Sequence, residues 1–157
     1  KDDLENYETV FNINFWASLK LMKIVSEKMI TNKWGRIINI SSIFGREYGG
    51  KSSSYMSSKA SLIAATKHMA IETAKLGITV NSIAPGSIKH DGGSWEKFVN
   101  NSPKEEVQDF IEENLPMGDF GSPEPVGEMV AFLSSLQAFT ITGACINIDA
   151  GQGRSLF

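Results

Sequence analysis

"GRIINI", Gly35 to Ile40, is a short, nearly continuous apolar run entered through a glycine and left through two serines. A strand solvated on one face alternates apolar and polar residues, whereas a strand covered on both faces does not, and this run has the second character. "ITVNSIAPG", Ile78 to Gly86, repeats it and closes on Pro-Gly, which does not continue a ladder easily. Between the two, a helix is expected from near Ser54 or Tyr55 to about Leu76, with Gly77 as its C-cap. "ACINID", Ala144 to Asp149, supplies a last short strand. Alternating elements of these lengths predict an α/β fold, a parallel sheet with helices on its faces.

Upstream of the first strand, apolar residues follow helical spacing from Leu4 to Ile30. Val10, Ile13, Ala17, Leu21 and Ile24 form one stripe, with Phe11, Phe15 and Met22 beside it, an arc broader than a surface helix needs. Residues 87–121 are polar and predict one or two short helices on a loop. "SPEPVGEMVAFLSSL" then opens a helix, with Ser122 as cap and Pro123 in the first turn. There is no internal repeat and no linker, so the 157 residues read as one domain, or part of one.

Composition excludes several classes of function. A hydrophobic share of 41% with 21% charged residues is ordinary for a globular domain. The net charge of −3, with Lys and Arg scattered, offers no basic field for nucleic acid. One cysteine, Cys145, and two distant histidines give neither an internal disulfide nor a zinc spacing, which fits a reducing, cytoplasmic setting. No apolar run approaches the roughly 20 residues that span a bilayer, and no signal segment opens the chain.

In an open parallel sheet, ligands bind outside the carboxyl ends of the strands. Ser41 and Ser42 leave the first strand there and Pro85 and Gly86 leave the second, while Tyr55 and Lys59 open the intervening helix. Tyr55 and Lys59 are four apart and share a helix face. A phenol ionises near pH 10, and a cation beside it favours the phenolate, which turns tyrosine into a usable general acid or base. Ser42, thirteen residues before Tyr55, can hold a carbonyl or alcohol oxygen against it, and the spacing favours Ser42 over Ser41. Asn14 is expected on the Val10, Ala17, Leu21 stripe of an otherwise apolar helix face, and a buried amide without partners would cost on the order of 1–3 kcal/mol, so it must be bonded.

Taken in order, "VFNIN", "GRIINISSIFG", "YMSSK" and "VNSIAPGSI" resemble the short-chain dehydrogenase/reductase family in its single-domain form. The match runs from about Leu4 to Gly151, with "FGSPEPVGEMVAFLSS" and "ITGACINIDAG" at the family's last helix and strand. A lone tyrosine and lysine four apart occur by chance in many proteins; the ordered set is what carries the resemblance. It implies a Rossmann-like, doubly wound parallel sheet and an NAD- or NADP-dependent oxidoreductase interconverting an alcohol and a ketone or aldehyde. It further implies Tyr55 as acid/base, Lys59 favouring its ionised form and holding the nicotinamide ribose, and Ser42 orienting the substrate oxygen. Asn14 would sustain a water-mediated proton path to Lys59, and Pro85, Gly86 and Ile88 would border the nicotinamide. A homodimer or homotetramer is implied, with the first two helices as the contact.

There are two departures from the family pattern. His90 stands where the family often has a threonine that holds the carboxamide, and the glycine-rich phosphate loop that precedes the first helix in the family is not in this chain. The chain is therefore expected to be a C-terminal portion that binds cofactor poorly by itself. Alternatives are a non-catalytic scaffold piece, or an epimerase or dehydratase of the same superfamily. Residues 87–121 are expected to be a substrate loop or lid, with Trp95, Phe98 and Phe110 either lining it or stapling a helical hairpin. Arg46 and Glu47 read as exposed loop charges, His90 as a loop residue, His68 as a surface or interface side chain, and Cys145 as a small buried hydrophobe.

Overall fold

The computed structural model describes residues 2–50 and 52–156. Three strands, β1 (Gly35–Ile40), β2 (Ile78–Pro85) and β3 (Cys145–Ile148), form a parallel sheet in the order β1-β2-β3. The register sets Gly35 opposite Ile78 and Ile40 opposite Ile83, then Ser82 opposite Cys145 and Pro85 opposite Ile148. The two buried runs seen in the sequence are thus neighbours, and the central one, β2, is buried along nearly its whole length.

Helices cover both faces. On one, Met22, Leu62, Met69 and Ala70 pack on Ile37, Ile78 and Val80 of the sheet. These come from α2 (Ala17–Asn32) and α3 (Ser53–Thr73), the latter prolonged by a 3-10 turn, Ala74–Leu76. On the other face, Leu133, Val126, Met129 and Val130 of α6 (Pro123–Ser134) pack on Ile38, Ile83, Ile146 and Ile148. Each fully buried aliphatic side chain contributes about 1.5–3 kcal/mol relative to exposure, so these two layers dominate the stability of the sheet. This is the doubly wound α/β arrangement expected.

Polar side chains fix the register where the layers meet. Asn81, 1% exposed in the middle of β2, donates to the Ile141 carbonyl at 2.8 Å and accepts from the Ala144 amide at 3.0 Å. Asn39 of β1 donates to Thr66 Oγ1 of α3 at 2.8 Å. Gly77, at φ 77°, ends the 3-10 turn where a Cβ would stand 2.3 Å from the Lys33 carbonyl oxygen, so the two helix-to-strand turns approach as only glycine permits. The C-cap expected there is present.

The first helix departs from its expected geometry. It is helical from Leu4, as α1 (Leu4–Phe11), but Asn12–Trp16 is a π turn, closed by the Ala17 amide on the Asn12 carbonyl, before α2 runs to Asn32. The buried side of α2 is Met22 and Ser26, while Ile13, Leu21 and Ile24 are 68%, 61% and 66% exposed and Ala17 is exposed too. The apolar stripe from Ile13 through Ala17, Leu21 and Ile24 therefore faces away from the sheet, with Val10 half-buried, and Phe15, Met22 and Met29 turn toward it. Ser122 occupies the N-cap position of α6 with Pro123 as its first residue, but its hydroxyl bonds the Glu124 carboxylate rather than the helix amides. Residues 87–121 hold the two short helices expected, α4 (Ser94–Asn101) and α5 (Lys104–Asn114). Among the described residues no helix is long and apolar enough to cross a membrane.

Candidate active site

The carboxyl ends of β1 and β2 and the first turns of α3 border an open cavity of about 560 Å³. Ser42, Tyr55, Lys59, Pro85, Gly86 and Ile88 all line it, together with Ser41, His90, Ser94 and Trp95. Asn14 does not. Every other residue singled out for catalysis or cofactor contact meets at this one place.

Tyr55 is the third residue of α3, and its amide is capped by Ser52 Oγ at 3.2 Å. The helix start is held from a distance. The Asp2 carboxylate accepts from the Ser53 hydroxyl at 2.8 Å, from the Ser53 amide, and from the Ser54 amide and hydroxyl at 3.2 and 3.1 Å. Asn6 reaches Ser54 Oγ at 3.0 Å and the Tyr7 hydroxyl reaches Ser53 Oγ at 2.8 Å, so α1 and the start of α3 are tied side by side. These bonds, the Ser53 hydroxyl foremost, hold the Asp2 carboxyl well below the usual carboxylate range.

Lys59 lies one turn beyond Tyr55, with Nζ 5.7 Å from the tyrosine ring centroid. Its ammonium donates to the Ile40 carbonyl, the last of β1, at 3.0 Å, and burial lowers its pKa from the ordinary 10.5. Ser41 fixes the same turn from behind by donating to the Lys59 carbonyl at 3.1 Å. Ser42 Oγ accepts from the Phe44 amide at 3.2 Å, a bond that uses a lone pair and leaves the O–H to donate. Both serines line the cavity, but the Ser41 hydroxyl is spent on the Lys59 carbonyl whereas the Ser42 O–H is left to donate.

Gly86 is required where β2 leaves the sheet, since a Cβ there would meet Gln152 Oε1 at 2.7 Å and Asp149 Cβ at 2.8 Å. Gln152 Oε1 accepts from the Ser87 amide at 2.8 Å, and the Gly86 amide still bonds the Ile148 carbonyl at 3.0 Å, so the Pro-Gly exit prolongs the ladder by one bond. Asn14, half-buried on the inner side of the π turn, donates to Ser58 Oγ at 3.2 Å. Ser58 in turn donates to the Tyr55 carbonyl at 2.8 Å, so the amide is bonded as its setting demanded, through the residue adjacent to Lys59.

One expectation is corrected. Arg46 and Glu47 are half-buried tethers rather than exposed loop charges: Arg46 donates to Asn147 Oδ1, and Glu47 accepts from the Arg154 and Ser155 amides. For Trp95, Phe98 and Phe110, where two roles were left open, all three form the hairpin staple and Trp95 also reaches the cavity. Trp95 packs 5.7 Å from Phe98 and 4.8 Å from Phe110, stapling the α4–α5 hairpin, and also lines the cavity. Sequence reasoning missed Asp2, Asn6 and Tyr7, whose partners lie about fifty positions away, and the π turn, which left no compositional mark.

The family model described as enoyl-(acyl carrier protein) reductase matches residues 1–152. A 3-oxoacyl-(acyl-carrier-protein) reductase of Rickettsia conorii is 42% identical over 148 residues, which is 94% of this chain and 58% of that protein. Among solved structures, YwfH, an NADPH-dependent reductase involved in bacilysin biosynthesis, superposes with a TM-score of 0.89 at 33% identity over 99% of this chain and 61% of its own. A 4-hydroxyisoleucine dehydrogenase mutant complexed with NADH and succinate gives 0.88 at 31%, over 98% and 61%. The chain thus spans about three-fifths of the length of these relatives. With the sheet order, the shared rim and this likeness together, the chain belongs to the short-chain dehydrogenase/reductase family.

Proposed function

We propose that this chain carries the catalytic half of an NAD(P)-dependent oxidoreductase that interconverts an alcohol and a ketone or aldehyde. The observation that carries the reading is the meeting of Ser42, Tyr55 and Lys59 with the Pro85–Ile88 exit on one cavity. The donor set suits a nicotinamide nucleoside. Pro85, Ile88 and Val126 give an apolar wall for a flat ring, and the Tyr55 hydroxyl and Lys59 ammonium can bond ribose hydroxyls. The nicotinamide supplies or accepts the hydride when bound.

The chain's own residues handle the proton and the oxygen. Ser42 donates its O–H to the substrate oxygen and holds it within reach of the Tyr55 hydroxyl. Tyr55 gives the proton as the carbonyl becomes an alcohol and takes it in the reverse direction. Lys59 places a fixed positive charge at the ring of Tyr55, where negative charge appears when the proton leaves. Asn14 and Ser58 lock the turn that carries Tyr55 and Lys59. Residues 87–121 act as the substrate lid, hinged at the Ile88–Gly121 bridge. The outward stripe of Ile13, Leu21 and Ile24, with Ile71 of α3 70% exposed, is the contact of a homodimer or homotetramer.

The test is Tyr55→Phe in the full-length enzyme, which keeps the ring and removes the proton. Turnover should fall by roughly 10²–10⁴ while nicotinamide binding changes little. Equal turnover by variant and wild type in a nicotinamide absorbance assay would reject the reading.

A further inference from the structure

A second, larger cavity of about 1050 Å³ opens beside the catalytic one, and Ser94 and Trp95 line both. Its floor is aromatic: Phe44, Trp95, Phe98 and Phe110 line it, with Phe98 and Phe110 5.5 Å apart in an edge-to-face contact. A volume and lining of this kind suit the body of a small organic molecule whose reacting end lies past Trp95.

The rim is mostly acidic, with Arg154 as its one described cation. Glu105, Glu106, Asp109 and Glu113, all on α5, border the cavity, and among the described residues none makes a salt bridge to a lysine or arginine. Glu47 is on the rim as well, with its carboxylate held by backbone amides, and Arg154 is the single described cation there. The helix itself gains little from the pattern. Glu105 and Glu106 complement the dipole at its first turn, but Glu105, Asp109 and Glu113 repeat at i, i+4 and i+8, a like-charge stripe that destabilises an isolated helix. By contrast, Gln108 and Glu112, also four apart, are hydrogen bonded at 2.8 Å. The unfavourable stripe is the one that faces the cavity. The four carboxylates are exposed at the mouth and outnumber Arg154, so the cleft carries a net negative field over its apolar walls, and aromatic faces attract cations in addition.

We propose that this cavity selects carbonyl compounds with an apolar or aromatic body ending in a positive charge, such as a quaternary ammonium, and discriminates against carboxylates and against acidic carriers docked at its mouth. The inference rests on the catalytic reading above for its reacting end, and on the cavity alone for its charge preference.

The test uses the full-length enzyme and three 4-arylbutan-2-ones that differ only at the far ring position, with trimethylammonium, tert-butyl or carboxylate. The first two are near-isosteres, and the two-carbon spacer insulates the ketone from the substituent. Cation should exceed neutral, and neutral exceed anion, by about tenfold each in kcat/KM at low ionic strength. The steps should shrink in about 0.5 M salt. In the variant Glu105→Gln, Glu106→Gln, Asp109→Asn, Glu113→Gln, the cation-to-neutral ratio should fall to near one. Equal kcat/KM for cation and neutral ketone, or preference for the anion or for a substrate carried on an acidic protein, overturns the proposal with the catalytic reading intact. Should no ketone react, the catalytic reading fails and binding decides the charge question. Quenching of Trp95 fluorescence, assigned with Trp95→Phe, by the cationic compound at lower concentration than by its neutral isostere upholds the preference. Equal quenching removes it.

Discussion

Lys59 has its ammonium on the Ile40 carbonyl and 5.7 Å from the centroid of the Tyr55 ring, so one side chain links the sheet to the residue proposed as acid/base. Lys59→Ala in the full-length enzyme should therefore weaken both turnover and nicotinamide binding, whereas Tyr55→Phe weakens turnover alone. Kinetics and a binding titration on the two variants separate these roles. Because burial lowers the lysine's pKa, the cation is lost as pH rises through a value below 10.5, and cofactor affinity should fall on the alkaline side before an exposed lysine would titrate. An affinity that stays flat through that range contradicts the role given to the charge. At this scale the sequence was unusually legible, since Ser42, Tyr55, Lys59, Pro85 and Gly86 each sit at a strand exit or one helical turn, where spacing determines position. Asn14 was legible only as a buried amide in need of a partner; that the partner is Ser58 depends on packing between two helices.

Among the elements, α3 shows what local pattern cannot reveal. Its start at Ser53, its end near Leu76 and the Gly77 cap follow from capping and backbone rules that act over a few residues. The clamp on its first turn comes from Asp2, fifty residues upstream, and no local signal announces it. The sign of its pH dependence is set by the depressed carboxyl: the stabilisation is present above the unfolded value near 4 and is lost as pH falls toward the lowered folded one. Asp2→Asn should lower the Tm by a few degrees at pH 7, and the two melting curves should converge as the pH drops below about 4. A gap that is unchanged at low pH would mean that the charge contributes nothing to the clamp. The π turn is the other illegible element. Its five residues, "NINFW", satisfy an ordinary helical pattern, and the extra residue per turn shows only in the outward rotation of Ile13 and Leu21.

For the whole molecule, burial on both faces was readable for β2, a near-continuous apolar run, whereas β1 alternates buried and half-buried residues and β3 is half-buried throughout, and the order β1-β2-β3 was not read from the sequence. The proposed assembly rests on the exposed apolar stripe. Leu21→Glu with Ile24→Glu, on the exposed stripe of α2, should shift the full-length protein toward smaller species in sedimentation at micromolar concentration, with the fold retained by circular dichroism. A wild type already monodisperse as a monomer would contradict the proposed contact. Within the described residues β1 pairs only with β2, leaving its other edge open. Residues 1–157 expressed alone should therefore self-associate and bind NADH or NADPH weakly; micromolar affinity by fluorescence titration, together with ketone turnover, would refute this.

The segment between β2 and α6 leaves and rejoins the body at nearly one point. The Lys89 amide bonds the Gly121 carbonyl at 2.8 Å, and the Gly121 amide bonds the Ser87 carbonyl at 3.0 Å. Such an excursion is a closed cassette. Its hairpin supplies the acidic stripe and most of the aromatic floor of the larger cavity, while the groups assigned to the reaction belong to the sheet rim and α3. Under the proposed function, substrate preference and chemistry fall in separate stretches of sequence, so variation in one can explore new substrates without passing through loss of the other. The hairpin is the part of this chain that could be exchanged between relatives as a unit.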